Sequence, residues 1–386
     1  MKWNNPGHEF DEIGEFFCKS EIYVWGLGET AADLVVRMQA LGIDIKAISD
    51  YAGWQLGWMG IEVAPSQRLI HSPEGKIVVL CLPQEEVGEA VQRLECVGYE
   101  KGKTYFFYYE FIDKWLSIYA VYSNDKVYFK DICFIPSTKC NLKCAACLNF
   151  TTYLKKMHDE PLNELIAQVD LFFTQIDYIG LFHVSGGEPV LYPHLGTLLA
   201  YINANYRSKI HQLATTTNGT TIYTDELCTT LRENNVTLIC DDYTDQLPEY
   251  RERFDALRAR LERNGVWHFV NKVESWIDLA PDRTDNSAMS DDQLISYCTS
   301  CDIPFREYCK GRIYACNYAN YAEKAELCQG ASDEFIDLGV WPVEKKKELI
   351  EFRLGYTPKG YVEFCKKCAG FKNNPYSVPP AVQLKQ

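Results

Sequence analysis

Cys140-Asn141-Leu142-Lys143-Cys144-Ala145-Ala146-Cys147 sets three cysteines at the spacing C-x3-C-x2-C. Thiolates are soft ligands suited to iron–sulfur clusters, and the four-iron form takes four of them. A compact group of three leaves one iron open, and an open iron can hold a substrate. Before the run, 127–129 and 132–135 read as strands. After it, Pro161 precedes the first apolar residue of a predicted helix over 162–176. Alternation then continues: strand 178–184, helix 195–202, strand 210–217, helix 225–233, strand 236–240 and a further strand within 266–273. A helix over 249–263 mixes Arg and Glu at helical spacings, the pattern of a solvated face.

The strand 178–184 runs directly into Ser185-Gly186-Gly187-Glu188-Pro189. The triplet alone also suits zinc, and the turn alone could be an ordinary one. Together they resemble the radical S-adenosylmethionine (SAM) superfamily. The resemblance implies a partial (β/α)6 TIM-type barrel and a 4Fe-4S cluster on Cys140, Cys144 and Cys147, whose open iron chelates SAM. It implies that SAM is cleaved to a 5'-deoxyadenosyl radical that abstracts a substrate hydrogen. Ser185, Gly186, Gly187, Glu188 and Pro189 match the superfamily's turn, whose backbone and carboxylate hold SAM's ammonium. Thr215-Thr216-Thr217-Asn218-Gly219 is similar to its polar fourth-strand segment, which puts Thr216 and Asn218 near the ribose; a helix cap or turn is an equally direct account of those residues. One departure is Ala146, where the family usually has an aromatic near adenine. Packing must then come from 148–150 or 238–239.

From 291 onward the chain carries seven cysteines, Cys298, Cys301, Cys309, Cys316, Cys328, Cys365 and Cys368, with little periodicity. Cys301 followed by Gly311 and Cys316, with Cys365-Lys366-Lys367-Cys368, resembles the twitch form of the SPASM module. That resemblance implies one auxiliary 4Fe-4S cluster on Cys301, Cys316, Cys365 and Cys368. Cys298 also fits the first spacing, Cys309 is another candidate, and zinc is the alternative metal. Cys18, Cys81, Cys96, Cys133 and Cys228 read as core residues.

Upstream, Ile22-Tyr23-Val24-Trp25 leads through Gly26-Leu27-Gly28-Glu29-Thr30-Ala31 into an apolar-periodic helix, and a second strand ends at Asp50. This is the order of a dinucleotide fingerprint, although Glu29 puts a carboxylate where a pyrophosphate would sit. With Gly60-Ile61-Glu62-Val63 further on, the segment is similar to N-terminal domains attached to sugar-nucleotide enzymes, where it would bind a nucleotide-sugar or serve only docking or dimerisation. It does not resemble a winged-helix leader-recognition domain, which argues against a ribosomal peptide substrate.

At 386 residues and 47% apolar content the chain can fill two or three cores. Sixteen cysteines in such a chain point to metal rather than to a disulfide framework. A net charge of −14 without a basic face argues against nucleic acid, and no apolar stretch is long enough for a membrane span or a signal peptide. The expected architecture is α/β in three parts: a Rossmann-like parallel sheet over 18–120, the radical SAM core over 125–290 and the small iron–sulfur module over 291–375, with a loose tail at 376–386. The expected function is a cytoplasmic oxidoreductase that dehydrogenates or epimerises a carbohydrate or nucleotide-sugar, with flavodoxin or ferredoxin as electron donor. The alternatives are a peptide- or protein-modifying maturase and a noncatalytic iron–sulfur or zinc-binding interaction protein.

Overall fold

The computed structural model describes residues 1–50, 57–68, 71–303 and 305–384. It is a mixed α/β structure built on two main sheets. The first joins β1 (Glu21–Trp25), β2 (Ile45–Asp50), β3 (Val63–Pro65), β4 (Lys76–Leu80) and β5 (Tyr105–Phe107), all parallel, in the order β3-β2-β1-β4-β5. Its apolar runs have a simple cause. Ile22 and Val24 pack with Leu34 and Val35 of helix Glu29–Ala40, while Tyr23 and Trp25 pack on the other face with Ala90 and Leu94 of helix Gln84–Cys96. Both faces are covered, so alternation gives way to continuous hydrophobicity.

The aromatic stretch after β5 forms a continuous helical segment, Tyr108–Glu110, a π turn over Phe111–Trp115, and Leu116–Asn124. Residues 116–121 are all buried, as expected of a helix enclosed between two layers. Asp33 ties the layers together. Its carboxylate accepts from Arg37 (2.6 and 3.0 Å) and the Tyr108 hydroxyl (2.5 Å), and lies 2.7 Å from His211 Nε2. Arg37 also donates to the Tyr128 hydroxyl at 3.0 Å.

The second sheet begins with five parallel neighbours: β6 (Tyr128–Phe134), β7 (Tyr178–Val184), β8 (Ile210–Thr217), β9 (Thr237–Asp242) and β10 (His268–Lys272). The two strands expected at 127–129 and 132–135 are one. Lys130 and Asp131 interrupt the apolar pattern but are neutralised in place, by Asp113 (2.5 Å) and Arg353 (2.6 Å). After β11 (Trp276–Ile277), the sixth parallel strand is β12 (Glu307–Cys309), which joins β6 on its other side. From there β13 (Arg312–Tyr314) and β14 (Phe335–Asp337) extend the sheet antiparallel.

The last hundred residues hold more structure than their pattern suggests. Helix Asp291–Cys301 starts in a capping box of Ser290 and Gln293, helix Asn317–Lys324 is buried over 317–322, and helix Lys346–Arg353 packs under β6. Glu351 from that helix is buried and accepts from Trp3 Nε1 (2.7 Å), Gly7 N (2.7 Å) and Glu9 N (2.9 Å). Residues 377–384 are not loose: β15 (Ser377–Val378) pairs with β11, and Ala381 is fully buried. Among the described residues no helix is long and apolar enough to cross a membrane.

Candidate active site

Side chains at the C-terminal ends of parallel strands converge on the mouth of a barrel. Here the ends of β6 to β10 open onto a cavity of about 490 Å³, within the usual size for ligand sites of ~300–1,000 Å³. Cys140, Cys144 and Cys147 line it together with Ser185, Gly186, Gly187, Glu188, Pro189, Thr216 and Asn218.

Close backbone contact joins the cysteine loop to the glycine turn. Gly187 N donates to Ser137 O (3.2 Å) and Glu188 N to Lys139 O (2.7 Å), while Asn149 Nδ2 donates to Gly186 O (2.6 Å). A Cβ on Gly186 would lie 2.4 Å from Ser137 O, and one on Gly187 2.3 Å from Lys139 O, so only glycine fits. Asn218 bridges from the other side, donating to Asn141 Oδ1 (3.0 Å) and standing 3.9 Å from Cys140 Sγ.

Glu188 is used differently from the resemblance. It is fully buried, and its two oxygens accept from the Thr217 hydroxyl (2.9 Å) and Asn218 N (2.7 Å), which fastens the turn to the end of β8. Burial outweighs those bonds and pushes its carboxyl up to about 7. A raised acid favours the protonated fold. Its contribution to stability is therefore best at pH values near and below its ordinary pKa and declines as pH rises through about 7. Glu188→Gln should melt progressively higher relative to wild type as pH is raised over this window; a constant difference in melting temperature would contradict the shift.

Four polar residues that the sequence did not single out complete the wall: His183, Asp241, Asn271 and Asn317. His183 Nε2 lies 2.6 Å from the Thr216 hydroxyl, and desolvation holds its pKa down to about 4. Asp241 accepts from Asn271 Nδ2 (2.8 Å) and the Tyr243 hydroxyl (3.0 Å), with burial raising its pKa. Asn317 Oδ1 is buried with no partner among the described residues. Strand alternation explains part of what was missed. On β9, Ile239 and Asp241 face the cavity, so Cys240 between them faces the core and is not placed to donate hydrogen. Of the segments considered for adenine, Leu148, Asn149 and Ile239 line the cavity, whereas Phe150 packs on Phe364 (centroids 5.6 Å apart) and Leu238 lies in the core. Cys133 lines this cavity, and Cys18 and Cys96 are exposed rather than core.

A second cavity, about 200 Å³, is lined by Cys301, Cys316, Cys365 and Cys368, and by Cys298 as a fifth. Cys309 lies elsewhere, 3.3 Å from Lys324 Nζ. Among the described residues no three His, Cys, Asp or Glu side chains converge as around one metal ion; the five cysteines share this cavity's lining. Arg306 also lines the cavity, buried, with Nε and Nη1 unpartnered among the described residues. An orphaned buried cation is costly, and a bound anionic thiolate cluster is a group that would offset it. Backbone amides already point at two sulfurs, Phe371 N at Cys301 Sγ and Gly370 N at Cys368 Sγ, both 3.3 Å. Tyr318 and Phe371, stacked at 5.8 Å and 17°, line both cavities.

Residues 134–264 match the family model described as the Radical SAM superfamily. No curated protein matches the chain. Among solved structures it is similar to SuiB of Streptococcus suis bound to S-adenosylmethionine, with 16% identity, 55% of this chain and 42% of that one covered, and a TM-score of 0.31. It is similar to native anSMEcpe with bound AdoMet (19% identity, 45% and 50% covered, TM-score 0.32) and to BtrN in complex with AdoMet and 2-DOIA (17% identity, 66% and 100% covered, TM-score 0.40). The chain spans about half the length of the first two. The radical SAM match thus falls on residues 134–264, the part of the chain that carries the cysteine loop and the 185–189 turn.

Proposed function

We propose that the protein is a radical SAM oxidoreductase with one auxiliary 4Fe-4S cluster that dehydrogenates or epimerises a carbohydrate or nucleotide-sugar. The observation that carries this reading is the stacked Tyr318–Phe371 wall shared by the two cysteine-lined cavities. When bound, the cluster at Cys140, Cys144 and Cys147 supplies, with SAM, reductive cleavage and hydrogen abstraction. The chain's own work is placement. The 185–189 turn offers backbone carbonyls to an ammonium, and Thr216 and Asn218 offer polar groups to a ribose. His183, Asn271 and Asn317 suit the hydroxyls of a polyol, and Asp241, with its raised pKa, suits proton exchange with one of them. Trp276, Phe305 and Tyr318 keep water from the reacting carbon.

Cys301, Cys316, Cys365 and Cys368 hold the auxiliary cluster in this reading, with Cys298 as the alternative ligand. The order β3-β2-β1-β4-β5 is that of doubly wound sheets and supports a Rossmann-like N-terminal domain. The reading includes a reduced flavodoxin or ferredoxin as donor and a cytoplasmic location. Anaerobic reconstitution should load about eight irons, falling to about four in Cys365→Ala/Cys368→Ala. Loading of about four irons in wild type, or zinc in the second cavity, would overturn the auxiliary cluster. A thermal-shift screen of nucleotide-sugars tests the substrate class.

One observation favours a peptide maturase as the second reading. β10 is an edge strand exposing Phe269 and Val270 next to cavity-lining Asn271, with exposed Trp267 just before it, a site suited to strand addition by an extended peptide. Retained nucleotide-sugar binding with no peptide turnover would remove it.

A further inference from the structure

Residues 379–384 lie on the cysteine loop, where Gln383 forms an isolated antiparallel bridge with Cys144. Ala145 N donates to Val382 O (2.7 Å) and Leu384 N to Lys143 O (2.9 Å), and Ala381 is buried among Leu142, Cys144, Tyr243 and Leu247. Gln383 is the side chain at the centre of this contact. Its Oε1 accepts from Lys143 N (2.7 Å), which fixes the orientation of the amide, and Nε2 uses one hydrogen on Ala381 O (2.7 Å) and has its other for Cys144 Sγ at 3.3 Å. The same segment starts at the second cavity, where Gly370 and Phe371 amides meet Cys368 and Cys301, and runs past Trp276 through β15. One strap therefore connects the two sets of cysteines.

We propose that residues 379–384 cap the SAM-cluster loop and that Gln383 is a positioning residue for the Cys144 thiolate, retaining the cluster and raising its reduction potential. The proposal rests on the reading that this loop carries the cluster. A donor aimed at a ligating sulfur stabilises the more negative, reduced state, and a covering strand slows loss of iron to solvent. The two consecutive prolines, Pro379 and Pro380, restrict the free strap and so lower the entropy lost on docking.

The test compares wild type, Gln383→Leu, Gln383→Glu and a chain ending at Val378. In metal-free protein, iodoacetamide alkylation of Cys144 is followed by peptide mass, with exposed Cys18 as reference. In reconstituted protein, iron release to a chelator and the potential of the loop cluster are followed by absorbance and EPR. We expect faster Cys144 alkylation in the shortened chain, iron release from the loop about 10–100-fold faster, and a lower potential in Gln383→Leu. Gln383→Glu should lower the potential further, because it sets a carboxylate against the sulfur. Unchanged alkylation in the shortened chain together with an unchanged potential in both Gln383 variants overturns the proposal, and the point variants decide it if the shortened chain does not fold. If wild type binds no iron at the loop, the cluster reading fails instead, and alkylation alone decides the cap.

Discussion

A Cys140→Ala/Cys144→Ala/Cys147→Ala variant should form no 5'-deoxyadenosine from SAM under dithionite and should lose about four irons per chain. The size of the effect follows from the wall of the cavity. Apart from Cys133, which belongs to β6 and is packed in the core, the three are the only sulfurs lining it among the described residues. Iron in the second cavity should remain, because Cys301, Cys316, Cys365 and Cys368 line a separate space. Retained 5'-deoxyadenosine would show that the loop is not the cluster site. Loss of all iron would show that the two sites do not load independently.

The second large effect lies away from the chemistry. Asp131 of β6 and Arg353 of helix Lys346–Arg353 form a buried pair at 2.6 Å, their side chains 3% and 10% exposed. Arg306 is buried near Arg353. Asp131→Ala would leave the buried Arg353 guanidinium without its anion, and removal of one member of such a pair costs ~3–5 kcal/mol. We expect a lower midpoint in urea and a drop of several degrees in melting temperature. Asp131→Leu/Arg353→Met, which removes both charges, should recover much of the loss. A single variant as stable as wild type would mean that the pair is solvated rather than buried.

The same pair shows why part of the fold could be read from the sequence and part could not. Strands such as Ile22–Trp25 declare themselves because both faces are covered by helices close by in sequence. The cysteine triplet and the 185–189 turn are equally plain, since each is a local pattern with a chemical reason. Asp131 instead looks like the end of a strand, because the cation that permits its burial is far along the chain. β12 was hidden for a similar reason: three residues carry no usable periodicity, and their place is fixed by β6. His183, Asp241 and Asn317 are ordinary residues until strand alternation turns them into one cavity. Gln383 had no signal at all, since its role exists only once the strap has docked.

The pairing of β6 with β12 also sets an order of events. Cys133 and Phe134 find their neighbours in Glu307 and Tyr308, and Cys144 finds its bridge partner in Gln383. No nascent chain shorter than these residues can close the ladder beside the cysteine loop. During synthesis the loop's three sulfurs therefore emerge long before the segment that covers Cys144, since Gln383 lies 239 residues further along.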